Sequence, residues 1–325
     1  MKALRRNAPR LAVICVSTIA VVFAGSQAHT AQRRTVAPAP SSYQTETRGN
    51  ERVVINTDLI TLTVSVTGAD GRAVWGLDKS AFTVTDDNVP QEISFFSDAD
   101  APVSVGIVFD VSGSMSGDKI MRAREALARF IETSHDRDEY FLVDFNSRAR
   151  LLLDKTRDSD AVLNKFTYVE PRGNTALYDA AYLGIEKVMH GAHTKRAILL
   201  ISDGEDNNSR YTFKELRRRL QESGVVVYFI GIGVNYLPRA TGAETLKKLA
   251  TVSGGKAFFP DSTGEMIEAF ERIALELRHQ YSIGYRPWNF AADGKWHRLK
   301  VKIQPPQGAP RLSVRSREGY YAMTR

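Results

Sequence analysis

Hydrophobic and polar residues follow two different patterns along the chain. Over residues 53–97, and again over 281–321, they alternate with a period of two, as in the run Ile60, Leu62, Val64 and Val66. Alternation of this kind predicts half-buried β-strands, and the Gly, Asp, Asn and Pro clusters between the runs predict the turns that join them. Both flanks of the folded part are therefore expected to be β-structure.

The middle of the chain has the other pattern. The runs 103–109, 197–201 and 225–232 are almost continuously apolar and rich in Val and Ile, as is typical of parallel strands buried on both faces. Segments with apolar residues at helical spacing separate and follow these runs, at 120–131, 177–188, 213–221, 246–250 and 266–277. Two further strands, 140–145 and 151–154, are expected to form a hairpin. Strand and helix alternate, so we predict a doubly wound α/β domain over 101–279.

The two β-flanks are each too small to bury a face alone. We therefore predict that an N-terminal part, 52–100, and a C-terminal part, 280–325, pair into one small β-sandwich, into which the α/β domain is inserted. The alternative is two separate β-units that flank the α/β domain without pairing.

The first 51 residues differ in composition from the rest. Four basic residues precede a mostly apolar run, 11–25, and Ser26-Gln27-Ala28 then offers a small-x-small cleavage site. This pattern predicts a secretory signal peptide over 1–28, and hence an exported protein that is periplasmic or secreted. An uncleaved N-terminal membrane anchor is the alternative, although a bilayer span needs about 20 apolar residues. Residues 29–51, which are rich in Pro, Ser, Thr and Gln, predict a flexible linker.

Charge and cysteine content narrow the functional classes. The whole chain has a formal net charge of +7, and removal of 1–28, which holds four basic groups and no acidic ones, lowers it to +3. So small an excess does not indicate a nucleic-acid-binding protein. The single cysteine, Cys15, lies in the apolar leader, so the exported part has no disulfide and must be stabilised by its hydrophobic core.

Side chains with oxygen donors follow two of the buried strands. Asp110 ends the first apolar run and Asp203 follows the second, while Ser112 and Ser114 share the loop of Asp110, and Thr175 precedes the helix at 176–189. Ligands in open α/β sheets bind outside the carboxyl ends of the strands, so we expect these five side chains at one edge of the sheet. Two carboxylates and three hydroxyls, with no His or Cys, favour a hard cation, Mg²⁺ or else Ca²⁺ or Mn²⁺, over zinc.

Simpler interpretations exist for each of these residues. A serine or threonine before a helix can cap it, and Asp203-Gly204 can form an ordinary turn. Neither explains why all five coincide in order and place, so we favour the metal site. The neighbouring Asp144, Glu205 and Asp206 are interpreted as solvated, and none of the six histidines has metal-ligand spacing.

The motif Asp110-x-Ser112-x-Ser114, together with Thr175 and Asp203, resembles the metal-ion-dependent adhesion site of the von Willebrand factor type A domain. The resemblance covers about residues 101–279. It implies a six-stranded sheet with one antiparallel edge strand and helices on both faces. The flanks, with the stretches GRAVWGLDKSAFTV and QEISFFS, are similar to an uncharacterised group of exported bacterial proteins that carry this domain, which implies an architecture but no function.

The expected function is a divalent-cation-dependent adhesion or interaction module, not an enzyme. An open coordination position on the cation would accept an acidic residue of a protein partner. A serine hydrolase is disfavoured because Met115 stands where a nucleophile elbow needs Ser, and the sequence has no phosphate-binding P-loop. Two alternatives stay open: a metal-assisted hydrolase or phosphotransfer enzyme with Asp110 as nucleophile, and an envelope scaffold whose metal site is vestigial.

Overall fold

The computed structural model describes residues 59–322, apart from 168–169, 234–240, 289–291 and 306–310. The predicted signal peptide and linker, residues 1–51, lie outside the described residues. The strands are β1 (Ile60–Thr67), β2 (Phe82–Asp86), β3 (Val89–Gln91), β4 (Ile93–Ser97), β5 (Val103–Asp110), β6 (Glu139–Phe145), β7 (Ala149–Thr156), β8 (Lys195–Ser202), β9 (Val226–Gly231), β10 (Ala257–Phe258), β11 (Tyr281–Tyr285), β12 (Trp296–Ile303), β13 (Ser313–Arg315) and β14 (Gly319–Tyr321). The helices are α1 (Asp118–Thr133), α2 (Ser159–Thr167), α3 (Leu177–Met189), α4 (Phe213–Ser223), α5 (Thr241–Ser253) and α6 (Thr263–Arg278).

The middle of the chain forms a six-stranded sheet with the strand order β10-β9-β8-β5-β6-β7. Every neighbouring pair is parallel except β6 and β7, which form the predicted antiparallel hairpin at one edge. Strands β5, β6 and β9 are buried along their whole length, as their continuous apolar runs require. The predicted α/β sheet is confirmed.

Helices cover both faces of this sheet, because alternate side chains of each strand point to opposite faces. On β5, Ile107 and Phe109 join a core with residues of α1, α2 and α6, whereas Val108 joins a second core with residues of α3, α4 and α5. Helix α3 lies against β5 where Gly184 faces Val108: a Cβ on Gly184 would lie 2.6 Å from Val108 Cγ2. A glycine is needed there for α3 to approach the sheet so closely.

The two flanks form a β-sandwich that draws on both ends of the described chain. One sheet has the order β13-β1-β11-β4 and the other β14-β12-β2-β3, so each contains strands from before and after the α/β part. The two inner faces share one core, which includes Leu62, Val64, Val84, Tyr281, Ile283 and Val301. The flanks therefore pair, as predicted, and do not form two separate β-units. The exact domain boundaries stay predictions.

Two elements of the α/β part have no counterpart in the sequence-based prediction. Helix α2 has nine residues and β10 has two. Segments this short hold too few apolar positions for a period to stand out. No helix in the described part of the chain is long and apolar enough to cross a membrane.

Candidate metal centre

Asp110, the last residue of β5, is fully buried at the carboxyl edge of the sheet. Its Oδ1 accepts a hydrogen bond from the backbone N–H of Ser112 at 2.8 Å, and its Oδ2 accepts one from the Ser202 hydroxyl at 2.6 Å. Burial raises the pKa of Asp110 to about 6, and the nearby carboxylate of Asp203 adds to this rise, although both hydrogen bonds oppose it. The carboxylate is thus oriented by donors but lacks the stabilisation of an adjacent positive charge.

Ser112 and Ser114 lie in the loop after Asp110. Their hydroxyl oxygens are 3.1 Å apart: Ser112 directly precedes a single 3₁₀ turn over Gly113–Met115, and Ser114 is the middle residue of that turn. Neither hydroxyl caps a helix: Ser112 makes no capping hydrogen bond to the 3₁₀ turn that follows it, and the N-cap residue of α1 is Gly117. The capping interpretation of these serines is not observed.

Thr175 lies in a neighbouring loop that runs beside the Asp110 loop. Gly113 donates its N–H to the carbonyl of Gly173 at 3.0 Å, which holds the two loops together. Thr175 is 3% exposed, and its N–H donates to Asn207 Oδ1 at 2.9 Å. The N-cap residue of α3 is Ala176, and the N–H groups at the start of α3 are bound by Asp206 and Ser209, so the Thr175 hydroxyl does not serve as the cap.

Asp203 follows β8, the strand next to β5, and is 4% exposed. Its Oδ1 is buried and has no hydrogen-bond partner among the described residues, while its Oδ2 lies 3.6 Å from Lys119 Nζ. Gly204 turns the chain directly afterwards with a φ of 88°, so the turn interpretation holds as well and is compatible with a ligand role. A buried carboxylate oxygen without a donor is costly unless a cation satisfies it.

The five predicted ligands therefore lie in three loops that meet at one edge of the sheet. Asp110 and Asp203 come from adjacent strands, the two serines follow Asp110, and Thr175 belongs to the loop that is hydrogen-bonded to both of the others. Two carboxylates balance the charge of a divalent ion, and hydroxyls add oxygen ligands without charge. The donor set and the unpaired Asp203 oxygen fit a hard divalent cation. The assignment of the individual ligands stays a prediction.

Two acidic residues near this edge are held by protein partners, which corrects their interpretation as simply solvated: Asp144 is buried and Asp206 is half-buried. Asp144 is 1% exposed and pairs with Arg150, whose Nε lies 3.0 Å from Asp144 Oδ1. Asp206 Oδ1 accepts the N–H groups of Leu177 and Tyr178, at 2.9 and 3.3 Å, and so caps the first turn of α3. Glu205 is exposed, as expected. The sequence alone does not indicate this role for Asp206, because the residue follows the start of α3 by about thirty positions and reaches it only in the folded structure.

No histidine has metal-ligand spacing in the sequence, but the fold brings two carboxylates to His297. In the β-sandwich, ligand atoms of Asp86, Asp87 and His297 all lie within 4.8 Å of one another. These residues are separate from the carboxyl edge of the α/β sheet and form a second group.

Comparison with known proteins identifies the central part of the chain. The model of the von Willebrand factor type A domain matches residues 104–272, more than half of the chain. Human calcium-activated chloride channel regulator 4 is 27% identical over 177 residues, which are 51% of this chain and 18% of that protein. Inter-alpha-trypsin inhibitor heavy chain H4 of Bos taurus is 26% identical over 207 residues, 57% of this chain and 22% of that protein.

A solved structure of similar fold is a von Willebrand factor type A protein from Catenulispora acidiphila. It is 15% identical, with a TM-score of 0.49, and the match covers 81% of this chain and 75% of that one. Matches to the first curated relatives span only between 18% and 41% of the length of those proteins.

Proposed function

Because the chain belongs to the von Willebrand factor type A family, we propose that it is an exported protein-binding module that captures an acidic residue of a protein partner through a divalent cation. Asp110, Ser112, Ser114, Thr175 and Asp203 would hold the cation, with Mg²⁺ as the expected ion and Ca²⁺ or Mn²⁺ as alternatives. When bound, the cation supplies a positive charge that attracts a carboxylate. The five residues would position the cation and leave one of its coordination positions free for the partner.

The single observation that carries this proposal is the environment of Asp203. Its buried Oδ1 has no partner in the described part of the chain, and it lies beside a second buried carboxylate whose pKa is raised to about 6. Two buried carboxylates side by side repel each other, and a divalent cation between them would remove the repulsion. Lys119 offers only one charge, at 3.6 Å and on the other oxygen.

The rim of the site supports an acidic partner. Arg148 and Arg172 lie in the loops beside the predicted ligands, and both side chains are exposed. The Arg172 N–H donates to the Val111 carbonyl at 2.8 Å, directly after Asp110, so its loop is fixed against the site. Exposed positive charges around the cation would steer an acidic partner toward it and raise the association rate, more so at low salt.

An enzyme would need a general base close to the cation. Glu205 is exposed near Asp203, but three other carboxylates near the site are already engaged. Asp144 pairs with Arg150, and Asp206 caps α3. Asp179 accepts the backbone N–H of Arg210 at 2.9 Å and pairs with its guanidinium. This favours binding over catalysis. A panel of phosphoesters and peptides, tested with Mg²⁺ and Mn²⁺, would reveal turnover dependent on Asp110 if the hydrolase alternative were correct.

The proposal is tested by capturing partners from the cell envelope on the immobilised mature protein, with Mg²⁺ or with EDTA. We expect at least one protein to be retained in Mg²⁺, lost in EDTA, and lost from the variants D110N and T175A. An acidic residue of that protein should then be required for retention. The variant R122Q, which changes an exposed charge on α1, serves as the matched control and should retain the partner. Retention that is equal in Mg²⁺ and EDTA would contradict cation-dependent binding and favour the scaffold alternative.

A further inference from the structure

A second group of potential metal ligands lies in the β-sandwich. Asp86 ends β2, Asp87 begins the turn into β3, and His297 lies on β12, which pairs antiparallel with β2. The turn is fixed to β12 by two hydrogen bonds: Asp87 N–H donates to the Arg298 carbonyl, and Arg298 N–H donates to Asp87 Oδ1, both at 2.9 Å. Backbone pairing therefore holds the three side chains together.

The distances within this group suit a small cation. His297 Nδ1 lies 3.0 Å from Asp87 Oδ2 and 3.7 Å from Asp86 Oδ1. Two ligands of a tetrahedral ion with bonds of 2.0–2.1 Å are about 3.3–3.4 Å apart, between these two values. Small side-chain rotations would bring the three atoms to a common distance from one ion.

The buried oxygen of Asp86 is an independent sign of a ligand. Asp86 is 6% exposed, and its Oδ2 accepts hydrogen bonds from the hydroxyls of Tyr285, at 2.7 Å, and Tyr320, at 2.9 Å. Its Oδ1 faces His297 and has no hydrogen-bond partner within the described ranges. Leaving a buried carboxylate oxygen unpaired is costly, whereas coordination to a cation would satisfy it. The two tyrosines would act as the outer hydrogen-bond partners that orient a metal ligand.

The ring of His297 is held so that Nδ1 points into the group. It stacks on Tyr320 with the ring centroids 5.2 Å apart, and its other nitrogen, Nε2, lies 3.6 Å from Asp293 Oδ1. This distance is too long for a hydrogen bond, and Nε2 has no partner in the described part of the chain. A small shift of Asp293 would give the outer carboxylate partner that a metal-binding histidine usually has.

We propose that Asp86, Asp87 and His297 form a second metal site, which binds a zinc-type divalent transition metal and links the N-terminal flank to the C-terminal flank. One imidazole nitrogen with carboxylate oxygens suits Zn²⁺, whereas the all-oxygen set at the edge of the α/β sheet suits Mg²⁺. The bound ion would stabilise the sandwich, because it would cross-link a turn and a strand more than 200 residues apart in sequence. This site is independent of the proposed partner-binding function.

The proposal is tested by titrating the metal-free mature protein with Zn²⁺ in a calorimeter. Zn²⁺ can also bind oxygen ligands, so the titration uses the variant D110N, which impairs the other site. We expect D110N to bind one Zn²⁺ per chain. Adding H297Q should weaken that binding by more than about 100-fold, since even the loss of a hydrogen-bond partner of a ligand costs 10–100-fold.

A second variant, D87N, separates the loss of a metal ligand from misfolding. D87N keeps an oxygen to accept the Arg298 N–H, and Asn tolerates the φ of 46° at this position, so the turn should be preserved while the ligand charge is lost. It should also weaken Zn²⁺ binding in the D110N background. H190Q, at an exposed histidine that ends α3, is the matched control and should leave binding unchanged.

Two results would overturn the site. One is that D110N binds no Zn²⁺. The other is that folded H297Q and D87N in the D110N background bind Zn²⁺ as tightly as D110N alone. Absorption of the Co²⁺-loaded D110N protein gives a separate check, because a tetrahedral site should show intense visible bands that H297Q removes.

Discussion

Replacement of Asp110 by Asn removes a negative charge that the metal-free fold buries beside another carboxylate. The Asn side chain can keep the local contacts: its oxygen would accept the N–H of Ser112, and its amide would donate to the hydroxyl of Ser202. The main change is therefore electrostatic. We expect D110N to be more stable than the wild type at pH 7 when no divalent cation is present.

The size of the effect follows from the pKa of Asp110, which rises from 3.8 to about 6 on folding because of burial. Each tenfold change in proton affinity is 1.36 kcal/mol, so keeping Asp110 ionised at pH 7 costs the metal-free fold about 3 kcal/mol. The sign is that of an acid whose folded pKa is raised. Below pH 3.8 Asp110 is protonated in both the folded and the unfolded state, so the fold does not bear the cost of ionisation. This stability is lost as the pH rises from 3.8 through 6.

The assay is urea unfolding of both proteins in EDTA, at pH 4 and at pH 7. We expect nearly equal free energies of unfolding at pH 4, and D110N to be more stable by about 2–3 kcal/mol at pH 7. Mg²⁺ should then stabilise the wild type but not D110N.

D144N is the matched control, because Asp144 is equally buried but pairs with Arg150. Its replacement should destabilise the protein, because the buried Asp144 would lose its ion pair with the exposed Arg150 guanidinium. A D110N protein that is less stable than the wild type at pH 7 in EDTA would refute the account of the Asp110 environment.

Three further predictions concern the same edge. The Mg²⁺ affinity of the wild type should fall about tenfold from pH 7 to pH 5, because protons compete for Asp110 below a pKa of about 6; a calorimetric titration that shows no pH dependence would contradict this. K119M should raise the Mg²⁺ affinity roughly threefold to tenfold, because it removes a positive charge 3.6 Å from Asp203 Oδ2. An unchanged dissociation constant would mean that the cation binds elsewhere. D206A should lower the free energy of unfolding by about 1–2 kcal/mol, because the N–H of Leu177 loses its acceptor and that of Tyr178 keeps only Ser209 Oγ. Urea unfolding measures this, and no change would mean that water replaces the cap.

The α/β sheet could be predicted from the sequence because its strands are buried on both faces. A strand such as β5 shows this burial as a run of apolar residues, and the first carboxylates after two such runs are Asp110 and Asp203. Adjacent parallel strands end at the same edge, so the side chains that follow them converge. The approximate location of the candidate site follows from this pattern, even though none of its distances does.

The surroundings of the carboxylates could not be predicted in the same way. Whether Asp144 is solvated depends on the register of β6 with β7, which brings Arg150 opposite it. Asp206 caps α3 because a loop folds back over a helix that begins some thirty residues earlier, and the sequence shows no period for this. Side-chain contacts between elements far apart in sequence depend on the packed structure.

The group around His297 is even harder to predict from the sequence. Asp86 and His297 belong to different flanks, and only the pairing of β2 with β12 brings them together. Sequence patterns for metal sites depend on short spacings between ligands, so a site assembled from strands on either side of an inserted domain gives no such signal.

Electron paramagnetic resonance of Mn²⁺ can show whether the edge with Asp110 and Asp203 holds a divalent cation. The measurement compares the metal-free variant H297Q, in which the proposed second site is impaired, with the double variant H297Q/D203N. We expect one Mn²⁺ bound per chain in H297Q, displaced by excess Mg²⁺, and no binding at the same concentrations in H297Q/D203N. Equal Mn²⁺ binding by the two proteins, or no binding by either, would mean that Asp203 does not hold a cation at this edge.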